Sequence, residues 1–267
     1  MRVERLRTSG GSGSPADALS RAGAGGVSGS GAGTFSPTDG ALCGDETVLM
    51  ELATAPVVRM ARVVYSSNAA FLLELDAADP VDPTQPLRAI YKPARGERPL
   101  WDFPHRTLHF REVATYLVDA ALGFGFVPAT TLRDGPLGTG SAQLFVDVID
   151  RELRDDEDEA LDPMLRDIAA LDVLVNNADR KRAHLLVTRD GRLRGIDHGL
   201  TFLPYPRQRT VLIDLGGTPL PDSTAVRVRA LNADAPRRDA LCAHLSHLLA
   251  PAEVDAFRAR LRELAAD

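Results

Sequence analysis

Residues 176 to 187 read NNADRKRAHLLV and place two amides, an acid, three basic residues and a histidine in nine positions. The stretch leaves an apolar run and returns at once to Leu-Leu-Val. It is either a solvated helix end that feeds a strand or a catalytic loop. Downstream, HLLVTRDGRLRGID has the pattern of a hairpin with Asp190-Gly191 at its turn, and Asp197 closes it. A tight antiparallel hairpin returns its second strand to the start of its first. Asp197 is therefore expected beside His184 and Asp179. Two carboxylates and an imidazole at one end of a hairpin suit a divalent metal ion or acid–base chemistry. A capped helix end followed by an acidic turn is the competing structural explanation.

Lysine usage adds a second clue. Of 31 Lys and Arg residues, only Lys92 and Lys181 are lysine. Biased codon usage accounts for the arginines. A position that still carries lysine raises the question of whether a planar guanidinium would serve there.

Composition bounds the answer. The chain has 267 residues, 44% of them apolar and 25% charged, with a formal net charge of −6. That length supports one large domain or two small lobes with a real core. The acidic balance argues against a dedicated nucleic-acid binder. No apolar run is long enough for a membrane span, and Arg2, Arg5 and Arg7 precede no apolar segment of a secretory signal. Cys43 and Cys242 stand far apart without a CxxC spacing, so neither a disulfide framework nor a zinc site is expected and a reducing cytoplasm fits.

The elements that must position these residues follow from pattern. Residues 1–44 are set aside as a Gly/Ser-rich tail without apolar periodicity. TVLMELATAPV reads as a short helix or a strand. VVYSSNAAFLLELD reads as a hairpin turning at Ser66-Ser67-Asn68, and LRAIYKP as a strand ending at Lys92-Pro93. Phe110, Val113, Ala114, Leu117 and Ala121 have helical spacing, with Thr107 as N-cap and Gly123 as C-cap. FVPATTLRDGPLGTGSAQLFVDVI reads as strand, turn, strand, and DRELRDDEDEALDP as a solvated linker. LDPMLRDIAALDVLVNNA is a buried helix, and two further helical patterns follow Pro236, the second opening on Pro251. The fold class expected is α+β: a β-rich half with one helix, a linker, and a helix-rich half with one hairpin. Two unlike lobes imply a cleft, and clefts hold ligands.

In this order, IYKP, REVATYLVDAALGFGFVPATTL, AQLFVDV, LDVLVNNADR and GIDHGLTF resemble the protein-kinase-like superfamily. The likeness runs from about residue 60 to 205 and is nearest to the phosphatidylinositol 3- and 4-kinase-like group. Within that group it points to type II phosphatidylinositol 4-kinases and HipA-like kinases, and the whole also looks like an actinobacterial family of kinase-like proteins. The resemblance implies a bilobal kinase-like fold, with an N-lobe over 45–148 and a C-lobe over 149–267. In that pattern a catalytic Asp is followed five positions later by a metal-binding Asn, and then by Asp-x-Gly. Asp179, position 184 and Asp197-His198-Gly199 match.

The resemblance then assigns roles. Lys92 reaches the α- and β-phosphates of ATP, and Glu112 pairs with it. Ser66, Ser67 and Asn68 cover the phosphates, although no GxGxxG is present, and a plain turn explains them equally. Leu144, Phe145 and Val146 stand where a hinge would bond adenine. Asp179 is the catalytic base, Arg180 anchors the loop or neutralises phosphate, and Asp197 ligates Mg²⁺. His184 stands where the family has Asn. Imidazole favours Mn²⁺ and other transition metals over Mg²⁺. It either ligates a metal of altered preference, contacts phosphate, or marks a slow or degenerate kinase. Lys181, Arg182, Arg207 and Arg209 are solvated charges or acceptor contacts, and Trp101 is expected to anchor the loop before the helix. The function expected is transfer of the γ-phosphate of ATP, with Mg²⁺ or Mn²⁺, to a hydroxyl of a soluble metabolite or a protein. A nucleotide-binding pseudokinase that regulates a partner and an AMP transferase are the rival expectations.

Overall fold

The structure, a computed structural model, describes residues 3–4, 46–64, 68–78, 85–148, 158–189, 191–212 and 219–266. A six-stranded antiparallel sheet forms the N-lobe. Its strands are β1 (Val3–Glu4), β2 (Val57–Val63), β3 (Phe71–Leu75), β4 (Leu87–Pro93), β5 (Thr130–Gly135) and β6 (Gly138–Leu144), in the order β1-β2-β3-β4-β6-β5. Alternation sets their faces. Leu87, Ala89, Tyr91 and Pro93 of β4 are buried, so Arg88, Ile90 and Lys92 lie on the other face. The segment TVLMELATAPV resolves into helix α1 (Glu46–Thr54), whose C-terminal carbonyls at Leu52 and Ala55 accept bonds from the buried Arg133 guanidinium at 2.8 and 2.5 Å. Strand β1 falls within the stretch assigned to the tail, while residues 8–44 lie outside the described residues, as do Ser66 and Ser67.

The C-lobe is helical around one small hairpin. It contains α3 (Asp158–Leu174), the hairpin β7 (Leu185–Val187) and β8 (Leu193–Gly195), then α4 (Asp222–Ala233), α5 (Ala235–Ser246) and α6 (Pro251–Ala266). Two expectations change. Helix α3 begins at Asp158, inside the acidic run assigned to a linker; residues 149–157 lie outside the described residues. Helix α4 was not foreseen, because its buried stripe is only Thr224, Ala225, Val228 and Leu231, too weak a pattern beside its arginines. Among the described residues, no helix is long and apolar enough to cross a membrane.

Helix α2 (Leu108–Leu122) joins the lobes. It packs on β5 and β6 on one side and on α4 and α5 on the other, so nearly its whole surface is buried. Its polar residues cannot face water and are paired inside the protein. Thr107 occupies the N-cap position but donates its hydroxyl to Pro104 O at 2.7 Å instead of accepting from the helix. Gly123 closes the other end in the left-handed conformation, φ 66°. Arginines from three C-lobe elements donate to the carbonyls there: Arg237 to Ala121, Arg227 to Gly123 and Arg194 to Gly125. Positive charge at a helix C-terminus is favourable.

Asp119 sits in that same last turn. Its Oδ2 accepts the N–H groups of Gly125 and Val127 at 3.1 and 3.3 Å, while Oδ1 is buried without a partner. Burial pushes its pKa up to about 7, outweighing those bonds and Arg194. The folded state therefore holds a proton that the unfolded chain releases above its ordinary value of 3.8. Stability contributed by that proton is lost as pH rises through the window between the two values. Asp119→Asn removes the titration. Its melting temperature is expected to exceed that of the parent near pH 8, with the advantage shrinking toward pH 5, as followed by circular dichroism.

Candidate active site

Lys92 is placed by backbone pairing. Strand β4 runs against β6 with Lys92 opposite Ser141 and Pro93 opposite Gly140. A Cβ at position 140 would lie 2.3 Å from Lys92 O and 2.7 Å from Pro93 Cα, so only glycine permits the approach. From there the Lys92 Nζ donates to Glu112 Oε1 of α2 and, at 2.8 Å, to Asp197 Oδ1. The other Glu112 oxygen accepts the N–H of His198 at 3.0 Å. One carboxylate thus ties the lysine strand to the turn that carries Asp197. Burial alone would pull the lysine pKa down, but Asp197 and Glu112 outweigh it and hold it above the ordinary value.

Asp197 follows β8. Gly195 N–H donates to Phe126 O at 2.9 Å and Ile196 N–H to His184 O at 3.0 Å. The chain then turns left-handed, with Asp197 at φ 60°, a conformation rare outside glycine and costly unless the surroundings enforce it. The turn points the carboxylate between Lys92 and the His184 ring, whose Nε2 lies 3.3 Å from Asp197 Oδ2. Lys92 holds the Asp197 pKa well below the usual carboxylate range, overcoming burial. Burial pushes His184 down, so its imidazole is neutral at neutral pH. His184 Nδ1 has no partner. Gly199 completes Asp-x-Gly beneath α2, where a Cβ would meet Leu108 Cβ at 3.3 Å.

The loop ahead of His184 hangs on a buried ion pair. Arg180 donates from Nε and Nη2 to the two oxygens of Asp172, both at 2.8 Å, and from Nη1 to Ile196 O at 3.2 Å. Its Nη2 also lies 2.8 Å from His198 Nε2. Both charged side chains are fully buried. Arg180, expected either to anchor the loop or to neutralise phosphate, is buried against Asp172 and is not among the residues that line the cleft. Asn177 donates to Asp172 Oδ1 and accepts the Asp179 N–H at 3.0 Å, which fixes where Asp179 leaves the helix. Asn176 ends α3 at φ 51° and binds the 203–207 segment, donating to Leu203 O and Tyr205 O and accepting Arg207 N–H.

A cleft between the lobes is lined by Asn68, Lys92, Glu97, His109, Glu112, Asp179, Asp197, Gly199 and Leu200. The three residues expected to carry the chemistry, Lys92, Asp179 and Asp197, are thus brought to one cavity. Asn68 reaches its rim and accepts Arg98 N–H at 3.0 Å. Leu144, Phe145 and Val146 do not line it, and two of their amides are already spent: Leu144 N–H donates to Ala129 O and Phe145 N–H to Arg88 O.

Lys181 was expected as a solvated charge or an acceptor contact. Its Nζ donates to Asp179 Oδ2 at 2.7 Å, so the second lysine of the chain sits on the candidate base. Glu97 and His109 were missed; they face each other at 3.1 Å on the cleft wall. Trp101 does not anchor its loop. It is 83% exposed, with the Arg207 guanidinium over its ring at 4.9 Å. Among the described residues, no group of three or more His, Cys, Asp or Glu side chains is arranged to hold a metal ion.

No family model matches the chain. Of three solved structures similar to it, two are kinases by name. The Golgi casein kinase superposes with a TM-score of 0.57 at 18% identity, covering 82% of this chain and 74% of its own. Hydra Fam20, solved with sugar, gives 0.59 at 16% identity over 82% and 87%. The Helicobacter pylori proinflammatory kinase CtkA gives 0.51 at 12% identity over 81% and 94%. At those identities the likeness establishes the fold, which is protein-kinase-like, with a β-sheet N-lobe and a helical C-lobe. A curated sequence, Protein Rv2133c of Mycobacterium tuberculosis, is 36% identical over 251 residues, covering 80% of this chain and 87% of the relative. The chain belongs to the family of Protein Rv2133c.

Proposed function

We propose that the protein is an ATP-dependent phosphotransferase that moves the γ-phosphoryl group of ATP to a hydroxyl acceptor. One observation carries the reading: the Lys92 ammonium is shared by Glu112 and Asp197 in the cleft that also holds Asp179. Residues 45–148 and 149–267 are taken as the two lobes of this one unit. The narrower kinship to type II phosphatidylinositol 4-kinases and HipA-like kinases rests on the quoted motifs alone.

The residues suit a nucleotide with a divalent ion. Mg²⁺ takes one or two protein carboxylates and completes its shell with phosphate oxygens and water, so a two-donor site is enough. Asp197 is ionised and its side chain is 46% exposed, and the neutral His184 ring faces it. The imidazole makes Mn²⁺ the better occupant. The nucleotide and ion supply the transferable group and the charge that neutralises it.

The chain supplies position and proton transfer. Lys92 donates to phosphate oxygens and is aimed by Glu112. Asp197 and His184 offer ligands to the ion. Asp179 turns from Lys181 to the acceptor hydroxyl and takes its proton as the new oxygen–phosphorus bond forms and the bond to the leaving ADP breaks. Lys181, released, faces the transferred group. The acceptor approaches over the 207–211 segment, which is bonded along the loop: Arg209 N–H to Asn177 O, and Arg180 N–H to Arg209 O, each at 3.0 Å. Arg209 is exposed there, and the neighbouring Arg207 guanidinium lies over the exposed Trp101 ring. A soluble metabolite and a protein hydroxyl both remain acceptors of the right chemistry. The His184 substitution favours the pseudokinase as the second reading.

ATP labelled separately at the α and γ positions separates the classes. Label transferred from γ is the expected result; transfer from α assigns AMP transfer, and transfer from neither assigns a binding protein. Asp179→Asn is expected to slow transfer by about 100-fold or more while keeping the thermal shift given by ATP with Mn²⁺. Asp197→Asn is expected to lose that shift. Lys181→Arg keeps the charge but not the compact ammonium, and is expected to lower the rate with nucleotide affinity unchanged, as measured by initial rates over a range of ATP concentrations.

A further inference from the structure

We propose that Arg111 is a positioning residue that locks α2 to α6 and to the 198–201 turn, and thereby holds Glu112 and Asp197 around Lys92. The kinetic consequence rests on the phosphotransferase reading; the lock itself does not.

Arg111 neighbours Glu112 in the chain and is among the largest fully buried side chains. Its three nitrogens reach α6, the 198–201 turn and the N-cap of its own helix. Nη2 donates to Glu253 Oε1 of α6 at 2.6 Å, Nη1 to Thr201 O at 2.5 Å, and Nε to Thr107 Oγ1 at 3.4 Å. The guanidinium plane lies 5.1 Å from the centre of the Phe103 ring. Glu253 is itself buried in the first turn of α6, with Oε2 accepting Ala250 N–H at 2.9 Å. A carboxylate at a helix N-terminus is favourable there. Thr201 in turn donates its hydroxyl to His198 O at 2.8 Å, and His198 N–H is the donor to Glu112 Oε2. The path from Arg111 through Thr201 and His198 thus closes back on Glu112.

Stability alone is a weak reason for this arrangement. A buried ion pair is often no better than well-packed apolar residues of the same volume. Geometry is the stronger reason. A planar fork with five donors satisfies three fixed acceptors at once, and a lysine cannot. In kinases whose lysine–glutamate pair is switched, the helix bearing the glutamate moves. Here that helix is fastened near its start to α6, and at its end to Arg237, Arg227 and Arg194. The Lys92–Glu112 pair is held made rather than switched.

The two lysines of the chain give a direct readout. Competitive acylation with acetic anhydride, followed by mass spectrometry of the full chain, compares Lys92 with Lys181 and needs no nucleotide. In the parent protein, Lys92 is expected to react several-fold more slowly than Lys181. Arg111→Met and Arg111→Lys are expected to raise the Lys92 rate several-fold while Lys181 is unchanged. A Lys92 rate equal to that of the parent in either folded variant overturns the proposal. Should the single variants fail to fold, the double variant Arg111→Met with Glu253→Leu replaces the pair by apolar packing. Fast Lys92 labelling in a double variant of parental stability supports the lock, and parental labelling overturns it. If labelling changes as expected but no protein transfers phosphate, the phosphotransferase reading falls and the lock stands. Where transfer is active, an ATP KM raised more than kcat is lowered supports the lock, and both parameters unchanged counts against it.

Discussion

A single ammonium group organises this molecule. Lys92 is shared between carboxylates 20 and 105 positions further along the chain, one on α2 and one after β8. The buried Glu112 carboxylate needs that cation, and the half-exposed Asp197 carboxylate shares it. The sheet, the interlobe helix and the hairpin must therefore come into register together. Much of the remaining polar interior serves that requirement: Gly140 lets β6 close on the lysine strand, His198 hands its amide to Glu112, and Arg180 braces the loop against Asp172.

The cleft is rich in negative charge. Glu97, Glu112, Asp179 and Asp197 line it, against Lys92 and the histidine His109. Such a cavity would repel a bare polyphosphate, and the ligand proposed for it carries metal ions. The charge pattern is thus consistent with metal–nucleotide binding and inconsistent with free nucleotide as the ligand. His184 deepens this selectivity. Buried and neutral, it offers a softer donor than the amide that kinases use at this place.

Several parts of this arrangement were legible in the sequence, for identifiable reasons. Strand β4 and helix α2 announce themselves by period, and a hairpin read from the sequence around Gly191 was enough to expect Asp197 near Asp179; Asp190 itself lies outside the described residues. Lys92 stood out because lysine is scarce. The same scarcity pointed equally to Lys181, and treating that residue as solvent-facing charge missed its contact with Asp179. Anchoring of the loop by Arg180 was one of two readings open in the sequence, but its partner Asp172 lies within an apolar helix and was not foreseen. Arg111 and Glu253 are 142 positions apart, and no local pattern links residues at that distance. Helix α4 escaped because packing against α6, not its own periodicity, defines it.

The bond between Arg111 and Glu253 also bears on how the protein is made. Chains grow at roughly 5–20 residues per second, and early segments fold while later ones are still being added. The N-lobe sheet is complete well before α6 exists. For the roughly 7–30 s needed to add the intervening residues, α2 has no acidic partner for its buried arginine. A nascent chain can thus fold its nucleotide-facing sheet and yet lack a finished site. Competence arrives late in translation, when α6 emerges and docks.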